Sequence, residues 1–196
     1  KIAMRDLEIR GAGSLLGEIQ SGHLEQVGYD TYCNLLDEVV KEMQGVEVEP
    51  EIDIQIDLNV TSYIPDEYIQ DSAQKIEVYQ NIALCKKEED IQNVVDEIID
   101  RFGNMPAELE NLLDIARIKY LAKPFAISKI ASKRTAVVFT FEQSKYEIDL
   151  QKLLKVYGNR IKFSPGIKTM ITLDIGTTNE RQILNDVTEF LKQLSK

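Results

Sequence analysis

Along residues 52–60 the chain alternates, with Ile52, Ile54, Ile56, Leu58 and Val60 separated by Asp53, Gln55, Asp57 and Asn59. A period of two puts all five apolar side chains on one face, which predicts a strand with that face on a core. Upstream the period is helical: Tyr32, Leu35, Leu36, Val39, Val40 and Met43 recur at three- and four-residue steps, between Asp30 as N-cap and Gly45 as stop. Beyond SYIPDEY two further helical stretches are expected. In the second, Ile91, Val94, Val95, Ile98, Ile99 and Phe102 form one stripe, which leaves Asn93, Asp96, Glu97 and Asp100 opposite until Gly103 closes the helix. Pro106 suits the first turn of another helix, in which Leu109, Leu112, Leu113, Ala116, Tyr120 and Leu121 face inward as far as Pro124. The remainder mixes periods: AVVFTF, a YEIDL edge leading into QKLLKVYG, a short RIKF and TMITLDI precede a terminal helix. That helix has the stripe Ile183, Leu184, Val187, Phe190, Leu191 and Leu194, and Thr177 with Glu180 has capping-box spacing at its start.

Strands and helices are intermixed without regular βαβ units, so the expected class is α+β, a small sheet packed by several helices. Composition changes at Gly45, which divides a helical segment, residues 1–45, from a compact mixed domain, residues 46–196. No internal repeat or low-complexity segment appears. A length of 196 residues with 43% hydrophobic content is enough for a proper core. There is neither an apolar run long enough to span a membrane nor a leader pattern, so no membrane association and a cytoplasmic location are expected. Cys33 and Cys85 lack CxxC spacing and predict neither a disulfide scaffold nor a zinc site. Both are expected in or near the core.

The net charge of −10 is unevenly spread. Residues 46–117 carry 5 basic and 18 acidic groups, whereas residues 118–196 carry 14 and 7. Such an acidic middle repels a phosphate backbone and fits a basic protein partner better. Its other reading is an ordinary solvated face.

Candidate chemistry is sparse. LDIGTTN, residues 173–179, has the look of a phosphate loop, but a strand, a tight turn and a helix cap account for it. No GxxxxGK[ST] is present, so the chain has no Walker A phosphate site of its own. His23 is the only histidine, which removes a His-rich metal site and leaves a poor general base. Adjacent acids such as Glu88 with Glu89 and Asp96 with Glu97 follow from composition, and none has a recognisable basic or nucleophilic companion. No catalytic or metal site is expected.

The unusual stretch is RDLEIRGAGSLLGEIQSG, residues 5–22. Gly11, Gly13, Gly17 and Gly22 let a backbone turn tightly or approach another chain closely. Arg10 and Gln20 bring donors suited to carbonyls, carboxylates or phosphates. On pattern alone a glycine-rich turn between helices also accounts for it. The run Asp6-Leu7-x-x-Arg10-Gly11-x-Gly13-x-x-x-Gly17-x-x-Gln20-x-Gly22 resembles, at every position, the translocation motif shared by RecG helicases and bacterial transcription-repair coupling factors. GYDTYCNLLDEVVKEMQG, IPDEYI and IDRFGNMP, which follow, resemble the coupling factor family and have no place in RecG. The likeness weakens from about residue 125.

The resemblance implies that residues 1–45 form a hook and helix ending the second RecA-like motor domain, with Arg10 and Gln20 coupling ATP hydrolysis to movement on double-stranded DNA. The ATP-binding lobe is missing, so ATP and Mg²⁺ would belong to motor domains outside this sequence, and the chain itself would not be an enzyme. Residues 46–196 would be the family's C-terminal regulatory domain, which represses the factor by packing on an N-terminal module similar to UvrB and masks the surface that recruits UvrA. RNA polymerase and DNA would be met through the full-length protein. Glu97 and Asp100, at i and i+3, with Asn93 and Asp96 nearby, form the ridge that would meet arginines of that module. Two other classes remain open. One is a nucleic-acid-binding accessory module of a RecG-like helicase, using Lys129, Lys133 and Arg134. The other is a phosphotransfer or nuclease domain, which would need convergent carboxylates and Mg²⁺.

Overall fold

The structure, a computed structural model, describes residues 54–142 and 148–195. The hook residues Arg10, Gly11, Gly13, Gly17, Gln20 and Gly22, the helix through Met43, His23 and Cys33 lie outside the described residues. Within them the order is β1 (Gln55–Asp57), α1 (Ser72–Ala83), α2 (Glu88–Phe102), α3 (Ala107–Ala122), β2 (Ile127–Lys133), β3 (Ala136–Phe141), α4 (Leu150–Tyr157), β4 (Ile161–Ser164), β5 (Thr169–Asp174) and α5 (Glu180–Leu194). The class is α+β, as the mixed periodicity predicts.

The strands form one sheet in the order β1-β2-β3-β5-β4, parallel between β1 and β2 and antiparallel elsewhere. Ile54 and Ile56 do point inward, but β1 is three residues long. It stops because the next ladder donor is diverted: the Asn59 N–H donates to Ser132 Oγ at 2.9 Å, and the Val60 N–H turns back to the Leu58 carbonyl at 2.8 Å. β2 is the strand that periodicity missed. Its register slips between Ile127 and Lys129, so Ile127 and Ile130 both reach the core although they are three residues apart. A bulge of this kind erases the alternation by which a strand is recognised. The predicted YEIDL edge is also corrected where it is described, because Leu150 opens α4 and the Asp149 carboxylate accepts the Lys152 N–H at 3.0 Å.

Caps fix the helix ends. Asp71 accepts from the Gln74 N–H at 2.9 Å at the start of α1. Glu88, Glu89 and Asp90 occupy the positive end of the α2 dipole, and Asp90 also accepts from the N–H groups of Lys86 and Lys87 at 2.9 and 3.2 Å. Gly103 ends α2 at a φ of 85°, a conformation that a side chain disfavours. At α5 the N-cap is Asn179, which accepts from the Gln182 N–H at 3.0 Å, and not Thr177, whose Oγ1 accepts from the Asn179 N–H at 3.1 Å.

Two cores result, and α3 serves both. Its Leu109, Leu112, Leu113 and Ala116 pack with Ile76, Val78 and Ile82 of α1 and Ile91 and Ile98 of α2. Its Ile115, Ile118 and Ala122 pack with the inner sheet face and with α5, all six of whose predicted stripe residues are buried. Phe139 and Phe190 meet there with ring centroids 4.3 Å apart, a contact worth about 0.5–1.5 kcal/mol beyond its buried area. The α2 stripe is narrower than predicted: Ile91 and Ile98 are buried, Val94, Val95 and Phe102 are half-buried, and Ile99 is 45% exposed.

Candidate functional site

On α2 the structure places Asn93, Asp96, Glu97 and Asp100 together on the exposed side. Their charges are not equally open. Asp96 accepts from Gln92 Nε2 at 2.9 Å. Glu97 accepts from Arg101 at 2.7 Å, and the same guanidinium reaches Glu77 of α1 at 3.2 Å while lying 5.0 Å from the Phe102 ring centroid. Asn93 and Asp100 make no side-chain hydrogen bond or ion pair among the described residues. The ridge therefore offers two carboxylates with no basic partner among the described residues, Asp100 and Asp96, and one shared with a guanidinium, Glu97.

A second polar constellation escaped the sequence pattern. Glu88, in the first turn of α2, accepts two hydrogen bonds from Arg117 of α3, at 2.7 and 2.6 Å, and one from the Tyr120 hydroxyl at 2.7 Å. Arg117 also binds Asp114, and Asp114 in turn takes Arg181 of α5. Hydrogen bonds from Arg117 hold the Glu88 carboxyl below the usual carboxylate range, while burial, with Glu88 beside it, pushes the Tyr120 hydroxyl up to about 12. These residues and Asp186, Glu189 and Lys192 line a groove of about 660 Å³. Within it Glu88 and Asp114 are paired with Arg117 and Arg181, and Asp186 with Arg160. Adjacent Glu88 and Glu89 both have basic companions but differ in kind: Glu89 takes exposed Lys87 at 2.6 Å, whereas Glu88 takes a guanidinium and a phenol 29 and 32 residues away. Only the Asp114–Arg117 spacing on α3 signalled any part of this in the sequence.

A third polar joint ties the segment after β1 to two helices. Asn111, buried on α3, donates to the Thr61 carbonyl at 2.9 Å and to Glu180 at 3.1 Å, and Glu180 accepts from the Thr61 N–H and hydroxyl at 3.1 and 2.8 Å. The LDIGTTN loop is occupied by its own structure. The Ile175 and Gly176 N–H groups donate to the Thr135 carbonyl at 2.9 and 3.1 Å, so these two donors are engaged within the fold and do not face a phosphate. Lys129 and Lys133 share the outer sheet face, with Arg134 in the following turn at a φ of 57°. Cys85 is half-buried, and burial raises its thiol to about 11. Among the described residues no group of three His, Cys, Asp or Glu side chains could hold a metal ion, and no helix is long and apolar enough to cross a membrane.

Residues 58–153 match the TRCF domain family, and a transcription-repair-coupling factor of Bacillus subtilis is 38% identical over 99% of this chain. The chain belongs to the transcription-repair coupling factor family. It spans 17% of the Bacillus protein's length. The coupling factor of Staphylococcus haemolyticus is 44% identical over 68% of this chain, which covers 12% of that protein. The fold is that of a crystal structure of the C-terminal domain of a transcription-repair coupling factor, with a TM-score of 0.66, 24% identity, and coverage of 72% of this chain and 91% of that one. The TRCF domain match takes in the α2 ridge and Glu88, Asp114, Arg117 and Tyr120 of the relay, while Arg181 lies beyond it.

Proposed function

We propose that this chain is the regulatory end of a transcription-repair coupling factor. The domain from about residue 46 packs, through the exposed side of α2, on an N-terminal module of the same protein similar to UvrB, and so masks the surface that recruits UvrA. The observation that carries this reading is the grouping of Asn93, Asp96, Glu97 and Asp100 on the solvent side of a helix whose Ile91 and Ile98 are buried, within a chain of this family. Exposed ion pairs are worth about 0–1 kcal/mol each, which suits a contact that must release. In the full-length factor, a double-stranded DNA translocase acting on stalled RNA polymerase, Arg10 and Gln20 couple ATP hydrolysis to movement, and ATP with Mg²⁺ acts in motor domains outside this chain.

The test is Glu97→Lys with Asp100→Lys in the full-length factor. UvrA affinity and DNA-dependent ATPase activity should both rise, because reversed charges add repulsion to lost attraction. The melting temperature of the 196-residue chain should change little, since both positions are exposed and the surface Glu97–Arg101 pair is the only ion pair replaced. Equal UvrA affinity of wild type and variant at matched ionic strength would return the ridge to an ordinary solvated face. A second reading, a nucleic-acid-binding module, draws on Lys129, Lys133 and Lys162, which register places on the same outer sheet face. Duplex binding that weakens steeply with salt and is lost on Lys129→Glu with Lys133→Glu would favour it.

A further inference from the structure

The β4 edge of the sheet is open, and its surroundings are not those of an edge that is merely blunted. β4 is the terminal strand and pairs with β5 alone, so one row of its backbone N–H and C=O groups faces outward. Natural sheets protect such edges by brevity, by lysine and by proline, and β4 has all three: four residues, Lys162, and Pro165 directly after it. Protection does not call for apolar exposure. Yet Phe163 is 44% exposed on the strand itself, Ile167 is 90% exposed in the β4–β5 turn, and Leu154 and Val156 are exposed on α4, which packs against β4.

Register fixes which side each group serves. Phe163 lies opposite Ile171 and shares the inner, helix-bearing face, whereas Lys162 lies opposite Thr172 on the outer face. A strand added beside β4 would alternate in the same way, with one set of side chains beside Phe163 and the next beside Lys162. Apolar residues fit the first set and acidic residues the second. The opposite edge of this sheet already carries a strand of that kind. There β1 lays Ile54 and Ile56 on the core face and Gln55 and Asp57 on the outer face, with Gln55 opposite Lys129 of β2.

We infer that the β4 edge, with Lys162 and Phe163 at its centre, is a docking site for an extended partner segment of alternating apolar and acidic residues, taken up by strand addition. It is independent of the α2 ridge, which belongs to the other core. Backbone pairing supplies the affinity, and Phe163 and Lys162 set register and composition.

The probe is a synthetic peptide with the sequence of residues 51–59, titrated into the isotopically labelled 196-residue chain and followed by amide chemical shifts. Saturable shifts should centre on Ile161–Ser164, and a peptide with lysine in place of its acidic residues should not bind. Lys162→Glu should weaken binding by about fivefold, and Phe163→Ala by a similar factor, with melting curves showing that both variants remain folded. Shifts confined to β2 would mean that the peptide has only replaced β1, and would overturn the inference. So would equal binding of a scrambled peptide that lacks the alternation. Sedimentation closes the remaining route: concentration-dependent dimers abolished by Lys162→Glu would assign the edge to a second copy of this chain, against a partner segment.

Discussion

Asp114→Ala should destabilise the domain by about 2 kcal/mol, and the structure says how that cost divides. The Asp114 side chain is only 11% exposed and accepts from two guanidinium groups, those of Arg117 and Arg181. Removing one member of a fully buried ion pair costs about 3–5 kcal/mol, chiefly because the abandoned partner stays desolvated. Here neither partner is stranded. Arg117 keeps its two hydrogen bonds to Glu88, and Arg181, at 56% exposed, can be solvated by water. What remains is the loss of two charge-assisted hydrogen bonds, each discounted for the water that replaces them, which gives about 2 kcal/mol.

The division between partners is the sharper test. A double-mutant cycle should find coupling of about 1 kcal/mol or more between Asp114 and Arg117, whose side chain is 23% exposed. Between Asp114 and Arg181 it should find about 0.5 kcal/mol or less, in the range of surface pairs. Urea unfolding of the four single and double variants at constant pH and salt measures both, and a shift in melting temperature of about 3 °C per kcal/mol provides a check. A cost below about 0.5 kcal/mol for Asp114→Ala would show that the relay contributes little to stability. Stronger coupling to Arg181 than to Arg117 would refute the assignment of Arg117 as its centre.

The remaining predictions concern pH, backbone and motor coupling. Glu88 has a depressed carboxyl in the folded state, so its contribution is present above the unfolded carboxylate range near pH 4.5 and is lost as pH falls through the folded value. With the carboxylate half-exposed, the advantage of wild type over Glu88→Gln should be about 1 kcal/mol at pH 7 and should shrink in urea titrations below about pH 4. Gly103→Ala should cost about 1–3 kcal/mol, read from chemical denaturation, because a new methyl meets open space and the whole penalty is the positive φ. In the full-length factor, Arg10→Ala or Gln20→Ala should slow displacement of a triplex strand while nucleotide binding stays close to wild type; normal displacement rates in both variants would end the coupling proposal.

What the sequence disclosed depended on whether a single element carried the signal. The α5 stripe from Ile183 to Leu194 was legible in full because one face of one helix meets one core. The α2 stripe was overdrawn at Ile99, since the contacts of α2 with α1, α3 and the segment around Tyr68 bury a narrower sector than the pattern allows. β2 was missed because its bulge moves Ile127 and Ile130 to a three-residue spacing. The exposed grouping of Asn93, Asp96, Glu97 and Asp100 was readable from helical spacing, but the engagement of Glu97 by Arg101 and Glu77 was not. That engagement needs α1 beside α2. The Glu88 relay was hidden for the same reason, as its partners lie on other helices.

The relay bears on the ridge although it is remote from it along the helix. Ile91 and Ile98, fully buried, with Val94, Val95 and Phe102 packed beside them, set the rotation of α2 about its own axis. A pair of hydrogen bonds between Glu88 and one guanidinium on α3 adds a directional constraint to that packing. Asp90 adds a second constraint at the same end by holding the backbone of Lys86 and Lys87. From that anchored first turn, helical geometry of about 100° per residue carries the orientation forward to Asn93, Glu97 and Asp100. The acidic side of α2 is thus aimed by its buried stripe together with the charges at its start, and Arg117, on another helix, takes part in setting that orientation.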